Sequence, residues 1–353
     1  MPEKSKAVKK LKNKKRVKIG IIGVGRMGNY HANVLSTLNN DVDFIGVYDI
    51  DSARADYIAD KYYTRSYEKL DHLLEEAEGI CIAVPTKLHY EIAKKALLSG
   101  IHTLVEKPIC RTIPEATELV EIAGEKKLVF QVGHVERFKG VITELRKIVE
   151  EPYFVEARRL NPWEDRDFDT GVVLDLMIHD IDIVLSLLGN KVKHIDAVGK
   201  IGRSGFEDIA TAILQFENGT IANITSSRET ETRKRAIAIS QPEAYILLDF
   251  ETKDINISRS SSTSFFVSSK DITYKQASFV ERVLVQQKNA LSDELQHFVH
   301  CILGETEPMV RGEDDIRTLL ITLTIVEKIY EKLNEDLPNF MKDLMLLDRS
   351  YPL

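Results

Sequence analysis

Apolar positions in the first third of the chain fall into two alternating rhythms. Short, almost wholly apolar runs lie at 17–22, 44–48, 79–84, 102–105 and 128–132. Between them, at 27–38, 51–62, 67–75, 89–99 and 113–126, apolar residues recur three and four positions apart. The first rhythm predicts buried strands and the second amphipathic helices. Each strand-plus-helix unit takes roughly 25–30 residues, enough for a right-handed βαβ crossover. The segment therefore predicts a doubly wound parallel sheet.

Beyond His134 the rhythm changes. Helical spacing over 138–150 precedes a strand at 153–160. A long apolar helix then covers 169–188, with Gly189 as its C-cap. From 193 to 257 apolar and polar residues alternate, broken by turn signals such as Asn218-Gly219. This predicts an antiparallel meander with one covered and one open face. The run Ser260-Ser261-Ser262-Thr263-Ser264 predicts a loop, and helices return at 291–303 and 314–333. The expected fold class is α/β: an N-terminal doubly wound parallel sheet, then an α+β domain with a largely antiparallel open sheet. The expected boundaries are a basic disordered tail at 1–16, a first domain at 17–135, a second domain at 136–333, and a C-terminal tail at 334–353.

Composition narrows the setting. A chain of 353 residues, 43% hydrophobic and 29% charged, is a globular protein too long for one ordinary core. Cys81, Cys110 and Cys301 follow no pairing pattern, which points to a reducing compartment and hence the cytoplasm. No long uncharged apolar run predicts a membrane span. The first sixteen residues carry eight basic side chains against Glu3 alone and lack the apolar core of a secretory signal. The whole chain is nevertheless at −7, so the body is strongly acidic, which argues against nucleic acid as a partner. The last twenty residues hold an apolar segment, Phe340 to Leu347, with the composition to pack on a neighbour.

Candidate chemistry begins where the first strand ends. Gly23-x-Gly25-x-x-Gly28, with Arg26 and Met27 inside it, lies between a strand and a helix, as a pyrophosphate-binding loop must. Asp49 follows Gly28 by twenty-one residues at the end of the second strand. A carboxylate there binds both adenosine ribose hydroxyls and repels a 2′-phosphate, favouring NAD over NADP. Ile50 belongs to the same strand end. Ligands of such sheets lie beyond the carboxyl ends of the strands, which brings in Pro85, Thr86 and His89, then Glu106-Lys107-Pro108. His89 either approaches the ribose and nicotinamide or opens a helix toward solvent. Lys107 can donate to a reacting oxygen, its turn set by Pro108, with a cis bond open to it. In the apolar helix at 169–188, Asp175 and His179 are four apart and share a face. A carboxylate beside an imidazole orients it for general-base work, or simply ties the helix to its neighbours. His179, Asp180 and Asp182 lack a distal metal-ligand set, and His297, His300 and Cys301 read as an ordinary helix face, so no metal is expected.

Taken in order, these motifs resemble the glucose–fructose oxidoreductase / inositol dehydrogenase (Gfo/Idh/MocA) family, from Val17 to about Leu333. The resemblance implies a Rossmann domain followed by an α+β domain whose open sheet makes a homodimer or homotetramer. It implies Lys107, Asp175 and His179 as the catalytic set, with Gln131 and His134 near the nicotinamide. The stretches Val132-Gly133-His134-Val135-Glu136-Arg137-Phe138 and Leu174-Asp175-Leu176-Met177-Ile178-His179-Asp180-Ile181-Asp182 further resemble the subgroup that oxidises UDP-N-acetylglucosamine at its 3-hydroxyl. For a sugar or UDP-sugar substrate, Arg137, Arg158, Arg159 and Trp163 are candidate cations and stacking ring, alongside His134. For Arg158 and Arg159 a solvated strand edge is the competing reading. A free-sugar or inositol dehydrogenase, a glycosidase that transiently oxidises its sugar, and a non-enzymatic NAD-sensing regulator remain the alternatives.

Overall fold

The computed structural model describes residues 15–165, 168, 170–189, 191–267, 272–286 and 288–338. The basic run up to Lys14 and the apolar segment at 340–347 lie outside these residues. The chain divides into two compact units: residues up to Val135 with Asn289–Asp315, and Glu136–Lys288 with the segment from Ile316 onward.

In the first unit, strands β1 (Val17–Ile22), β2 (Val42–Tyr48), β3 (Gly79–Ile82), β4 (His102–Glu106) and β5 (Phe130–Gly133) alternate with helices α1 (Arg26–Leu35), α2 (Ser52–Tyr62), α3 (Leu70–Glu76), α4 (His89–Leu98) and α5 (Ile113–Lys126). All strands are parallel, in the order β2-β1-β3-β4-β5. The order reverses between β1 and β3, which opens a crevice at their carboxyl ends. Every residue of β1 except Lys18 is buried, because helices cover both faces of such a sheet. Local signals start the helices: Asp51 accepts the Arg54 N–H at α2, and Thr112 with Glu115 forms a capping box at α5.

Helix α8 (Ala290–Ile302) corrects the expected boundaries. Assigned from sequence to the second domain, it belongs to the first unit. Its Leu295, Phe298 and Val299 are buried in one cluster with Ile19, Ile21 and Cys81. A parallel sheet exposes two apolar faces, and the helices before residue 135 do not complete the cover; the chain returns to supply it.

The second unit contains α6 (Gly140–Ile148), β6 (Phe154–Leu160), a π-helical turn at Val173–Met177 running into α7 (Ile178–Leu188), and strands β7 (Val192–Ile201), β8 (Glu207–Phe216), β9 (Ile221–Ser227), β10 (Lys234–Gln241), β11 (Ala244–Asp249), β12 (Asp254–Val267) and β13 (Ile272–Leu284). Helix α9 (Gly312–Leu333) contributes its residues from Ile316 on. The eight strands are ordered β13-β12-β11-β10-β6-β9-β8-β7, antiparallel except for the β6–β9 pair. Burial alternates along β8, where Ala210, Ala212, Leu214 and Phe216 face inward and Ile209 and Ile213 are exposed. One expectation fails here. Residues 260–264 are not a loop but part of β12, paired with β13. Serine and threonine satisfy a ladder through their main chain as well as any residue, so the available partner strand overrides composition. Among the described residues no helix is long and apolar enough to cross a membrane.

Glu294 of α8 is buried, and among the described residues neither carboxyl oxygen has a hydrogen-bond partner. Burial, and then the charge of Glu106, push its carboxyl well above the ordinary value of 4.5. Such a group adds stability below its unfolded pKa and loses it as pH rises toward the raised folded value. Glu294→Gln should flatten that part of the stability profile. Near neutral pH it should raise the melting midpoint by about 2–4 °C per kcal/mol relieved. Calorimetry at stepped pH checks both; an unchanged slope contradicts the assignment.

Candidate active site

At the end of β1 the backbone turns at Gly23 with φ of +85°, a conformation side chains rarely adopt. A Cβ on Gly28 would lie 1.9 Å from the Gly23 carbonyl oxygen, so helix and turn touch only because the side chain is absent. Gly25 differs: a Cβ there meets nothing within 4 Å. Among the described residues nothing demands glycine at that point, whereas a pyrophosphate drawn against the main chain does. Gly25 is also the N-cap of α1, with no side-chain cap and no acidic residue in the first turn. Free N–H groups and the positive helix end thus suit an anion. Arg26 is exposed and Met27 half-buried. Asp49 stands against this loop, accepting from Val24 N–H at 2.7 Å and from Asp51 N–H at 2.9 Å. Its neighbour Ile50 is 95% exposed. Pro85 is exposed and Thr86, half-buried, begins a 3₁₀ turn to Leu88. These groups fit NAD.

The turn carrying Lys107 is held by residues distant in sequence. His89 neither faces solvent nor turns its ring to a ligand. It is buried, with Nδ1 at 2.9 Å from the Pro108 carbonyl and Nε2 at 2.9 Å from the Val84 carbonyl. The ring therefore joins the ends of β3 and β4. Glu106 bonds His31 Nε2 of α1 at 2.8 Å. Burial opposes its charge, yet the His31 hydrogen bond, with Lys107 beside it, holds the carboxyl below the usual range. Asp315 accepts from Ile109 N–H at 3.1 Å and contacts His134 Nε2 at 2.5 Å. His134, expected at the substrate, is thus buried and committed to Asp315. Gln131, expected at the nicotinamide, is buried too and donates to Cys301 Sγ at 3.3 Å. The Lys107–Pro108 bond is cis, and Lys107 itself is half-buried. His31 was missed from sequence, although a histidine among Ala32, Val34 and Leu35 on the buried face of α1 is a visible demand for a partner.

In the second unit Asp175 sits within the π-helical turn and His179 in the first turn of α7, both half-buried. π turns widen a helix locally and are frequent at functional sites. The neighbouring carboxylates are spoken for. Arg159 of β6, buried, pairs with Asp180 through Nε to Oδ2 at 3.0 Å and Nη2 to Oδ1 at 2.7 Å, and reaches Glu136 at 3.5 Å. Burial disfavours the Glu136 charge, but Arg159 and Lys139 hold its carboxyl low. Arg137, also buried, grips Asp182 with contacts of 2.8 and 2.5 Å.

Arg137 and Arg159, expected at the substrate, are thus buried and each paired with an aspartate of α7. Nor is Arg159 at a strand edge, since β6 lies inside the sheet between β10 and β9. Arg158, on the opposite face, is half-exposed and bonds Glu156 at 2.7 Å. Trp163 is half-buried, 5.2 Å from the Phe168 ring at a 55° tilt, with the Arg203 guanidinium 5.3 Å over it. His297 accepts from Met309 N–H at 2.9 Å, an ordinary helix-face role.

Comparison with known proteins agrees with this geometry. Residues 17–134 match the oxidoreductase family with an NAD-binding Rossmann fold, GFO_IDH_MocA, and residues 140–247 its C-terminal domain. UDP-N-acetylglucosamine 3-dehydrogenase of Acidithiobacillus ferrooxidans is 31% identical over 310 residues, 88% of this chain and 96% of that protein. Its solved structure aligns with a TM-score of 0.84 at 30% identity, covering 91% of this chain and all of the other. The scyllo-inositol 2-dehydrogenase (NAD(+)) of Bacillus subtilis is 25% identical, over 85% of this chain and 90% of that one. The chain belongs to the Gfo/Idh/MocA family and is an NAD-binding oxidoreductase.

The Arg159–Asp180 pair yields a stability prediction. Asp180→Leu leaves a buried guanidinium short of its carboxylate and should cost about 3–5 kcal/mol. Adding Arg159→Met should recover part of that loss. Urea denaturation of both variants measures this; a double variant less stable than the single one contradicts it.

Proposed function

We propose that this Gfo/Idh/MocA oxidoreductase oxidises a secondary hydroxyl of a sugar to a ketone, with the 3-hydroxyl of UDP-N-acetylglucosamine as its target. The observation that carries the reading is the partial exposure of Asp175 in the π turn and His179 in α7, beside two buried carboxylates. Asp180 and Asp182 are locked to arginines, while Asp175 and His179 keep part of their surface open. On the cofactor side, the loop of Gly23, Gly25, Arg26, Met27 and Gly28 holds the pyrophosphate, and Asp49 accepts from the adenosine ribose. Ile50 packs on the adenine, an otherwise unexplained exposed apolar residue, and Pro85, Thr86 and Glu106 line the nicotinamide end.

NAD, when bound, takes up the hydride leaving the carbinol carbon. His179 removes the hydroxyl proton as general base. Lys107 donates a hydrogen bond to the same oxygen and offsets its growing negative charge. Asp175 orients the sugar and the imidazole. Trp163 serves the nucleotide end, a flat ring for a base. The inositol dehydrogenases among the relatives support a second reading, oxidation of a free cyclitol or sugar. Three free, buried cysteines suit a cytoplasmic enzyme. The exposed apolar face of the eight-stranded sheet, with Val198, Ile209, Ile213 and Ile221, suits a homodimer or homotetramer.

An NADH-absorbance screen across sugars, inositols and UDP-sugars tests the substrate. Turnover of UDP-N-acetylglucosamine is expected; activity confined to inositol or glucose favours the second reading, and sugar release without net NADH indicates a glycosidase. Lys107→Ala and His179→Ala should each lower kcat by about 10²–10⁴ while NAD still titrates normally. Near-normal turnover in either removes that residue from the mechanism. For assembly, Ile213→Lys should shift the protein to a smaller species in light scattering with unchanged circular dichroism. A monomeric wild type would reject the interface.

A further inference from the structure

Arg228, immediately after β9, is absent from the chemistry described so far, yet it stands beside Asp175. Its side chain is only 3% exposed. Nη2 donates to the Thr170 carbonyl at 3.0 Å and lies 3.8 Å from Asp175 Oδ2, while Nε is 3.5 Å from Asp208 Oδ1. The guanidinium also lies 4.0 Å from the centre of the Phe168 ring. Asp208 is itself fixed, accepting from Ser204 N–H at 3.0 Å and Ser204 Oγ at 2.5 Å. The residue before it, Glu207, accepts from Val173 N–H at 3.3 Å at the head of the π-helical turn and from Tyr330 Oη at 3.2 Å. Gly171 packs so closely on that carboxylate that a Cβ would come within 1.9 Å of it. Adjacent β8 residues thus hold both the start of the turn and the arginine that faces Asp175.

The lengths of these contacts differ in kind. A donor 3.0 Å from the Thr170 carbonyl is a hydrogen bond; 3.8 Å to Asp175 is an ion-pair distance beyond hydrogen-bond range. This contact gives Asp175 a fixed positive neighbour without using a lone pair of Oδ2. Asp175 is steered from the Arg228 side while its side chain retains 31% exposure.

We propose that Arg228 is a positioning residue: clamped by Asp208, Thr170 and Phe168, it aims the Asp175 carboxylate at the sugar hydroxyls. The inference rests on the dehydrogenase reading above. Arg228 touches no reacting atom; it acts through Asp175, and its effect must vanish when Asp175 loses its charge.

The test is a double-mutant cycle on the full-length enzyme, with kcat and KM measured separately for the sugar substrate. Arg228→Met should lower kcat at least tenfold with little change in NAD affinity. In an Asp175→Asn background the same substitution should change kcat less than twofold. Arg228→Lys, which keeps a cation but not the fork that spans Asp208, Thr170 and Asp175, should recover part of kcat. It also serves as the cycle's arm should Arg228→Met fail to fold. Equal losses in both backgrounds overturn the proposal and make Arg228 a purely structural residue, as does an unchanged kcat in Arg228→Met. Wild-type protein that binds NAD but reduces it with no alcohol would sink the dehydrogenase reading and this one together. Activity without coupling sinks this one alone.

Discussion

A guanidinium withdrawn from water must face a carboxylate in matching geometry, and this constraint organises the second unit. Arg159 and Arg137 are both buried, and each is met by two-point contacts from the same helix, at Asp180 and Asp182. Two such pairs within one turn fix the position of α7 and its rotation about its own axis. His179 precedes the first of them by one residue, so its direction follows from theirs. Buried ion pairs are poor sources of net stability, because desolvation offsets most of their attraction. Their use here is geometric: a helix pinned at two points carries a side chain whose aim does not drift.

The first unit meets the corresponding requirement with hydrogen bonds from remote chain segments. The turn at Lys107 is a short loop at a strand end, which would be mobile if unsupported. His89 holds Pro108, Asp315 holds Ile109, and His31 holds Glu106. These supports come from α4, the first turn of α9 and α1, and they flank Lys107. The glycine loop has the opposite character. Gly23 and Gly28 are dictated by the protein's own close contacts, whereas no described residue crowds Gly25.

Much of this was legible from the chain alone because it is local. The run Val17–Ile22, Gly189 as a C-cap and the motif glycines depend on neighbours a few residues away. The polar residues inside buried elements were harder. Arg137, Arg159, His134 and Gln131 look like site residues, since an apolar surrounding makes any polar side chain conspicuous. A buried polar group is equally explained by a partner within the fold. Only the folded chain reveals that Asp182, Asp180, Asp315 and Cys301 are those partners. The same holds for the serine run in β12, whose strand identity comes from β13 opposite.

By itself, then, the sequence determined the parallel sheet, the open antiparallel sheet, the nucleotide loop and the helix bearing Asp175 and His179. Each of these is written in periodicity or in short-range sterics. Tertiary structure alone decided which polar residues are paired with one another inside the fold. It also decided that α8 returns to close the first core, and that Arg228 stands beside Asp175. Pairing between charges, and cover for an apolar face, are satisfied across space by whichever residue arrives there, and linear spacing carries no record of that choice.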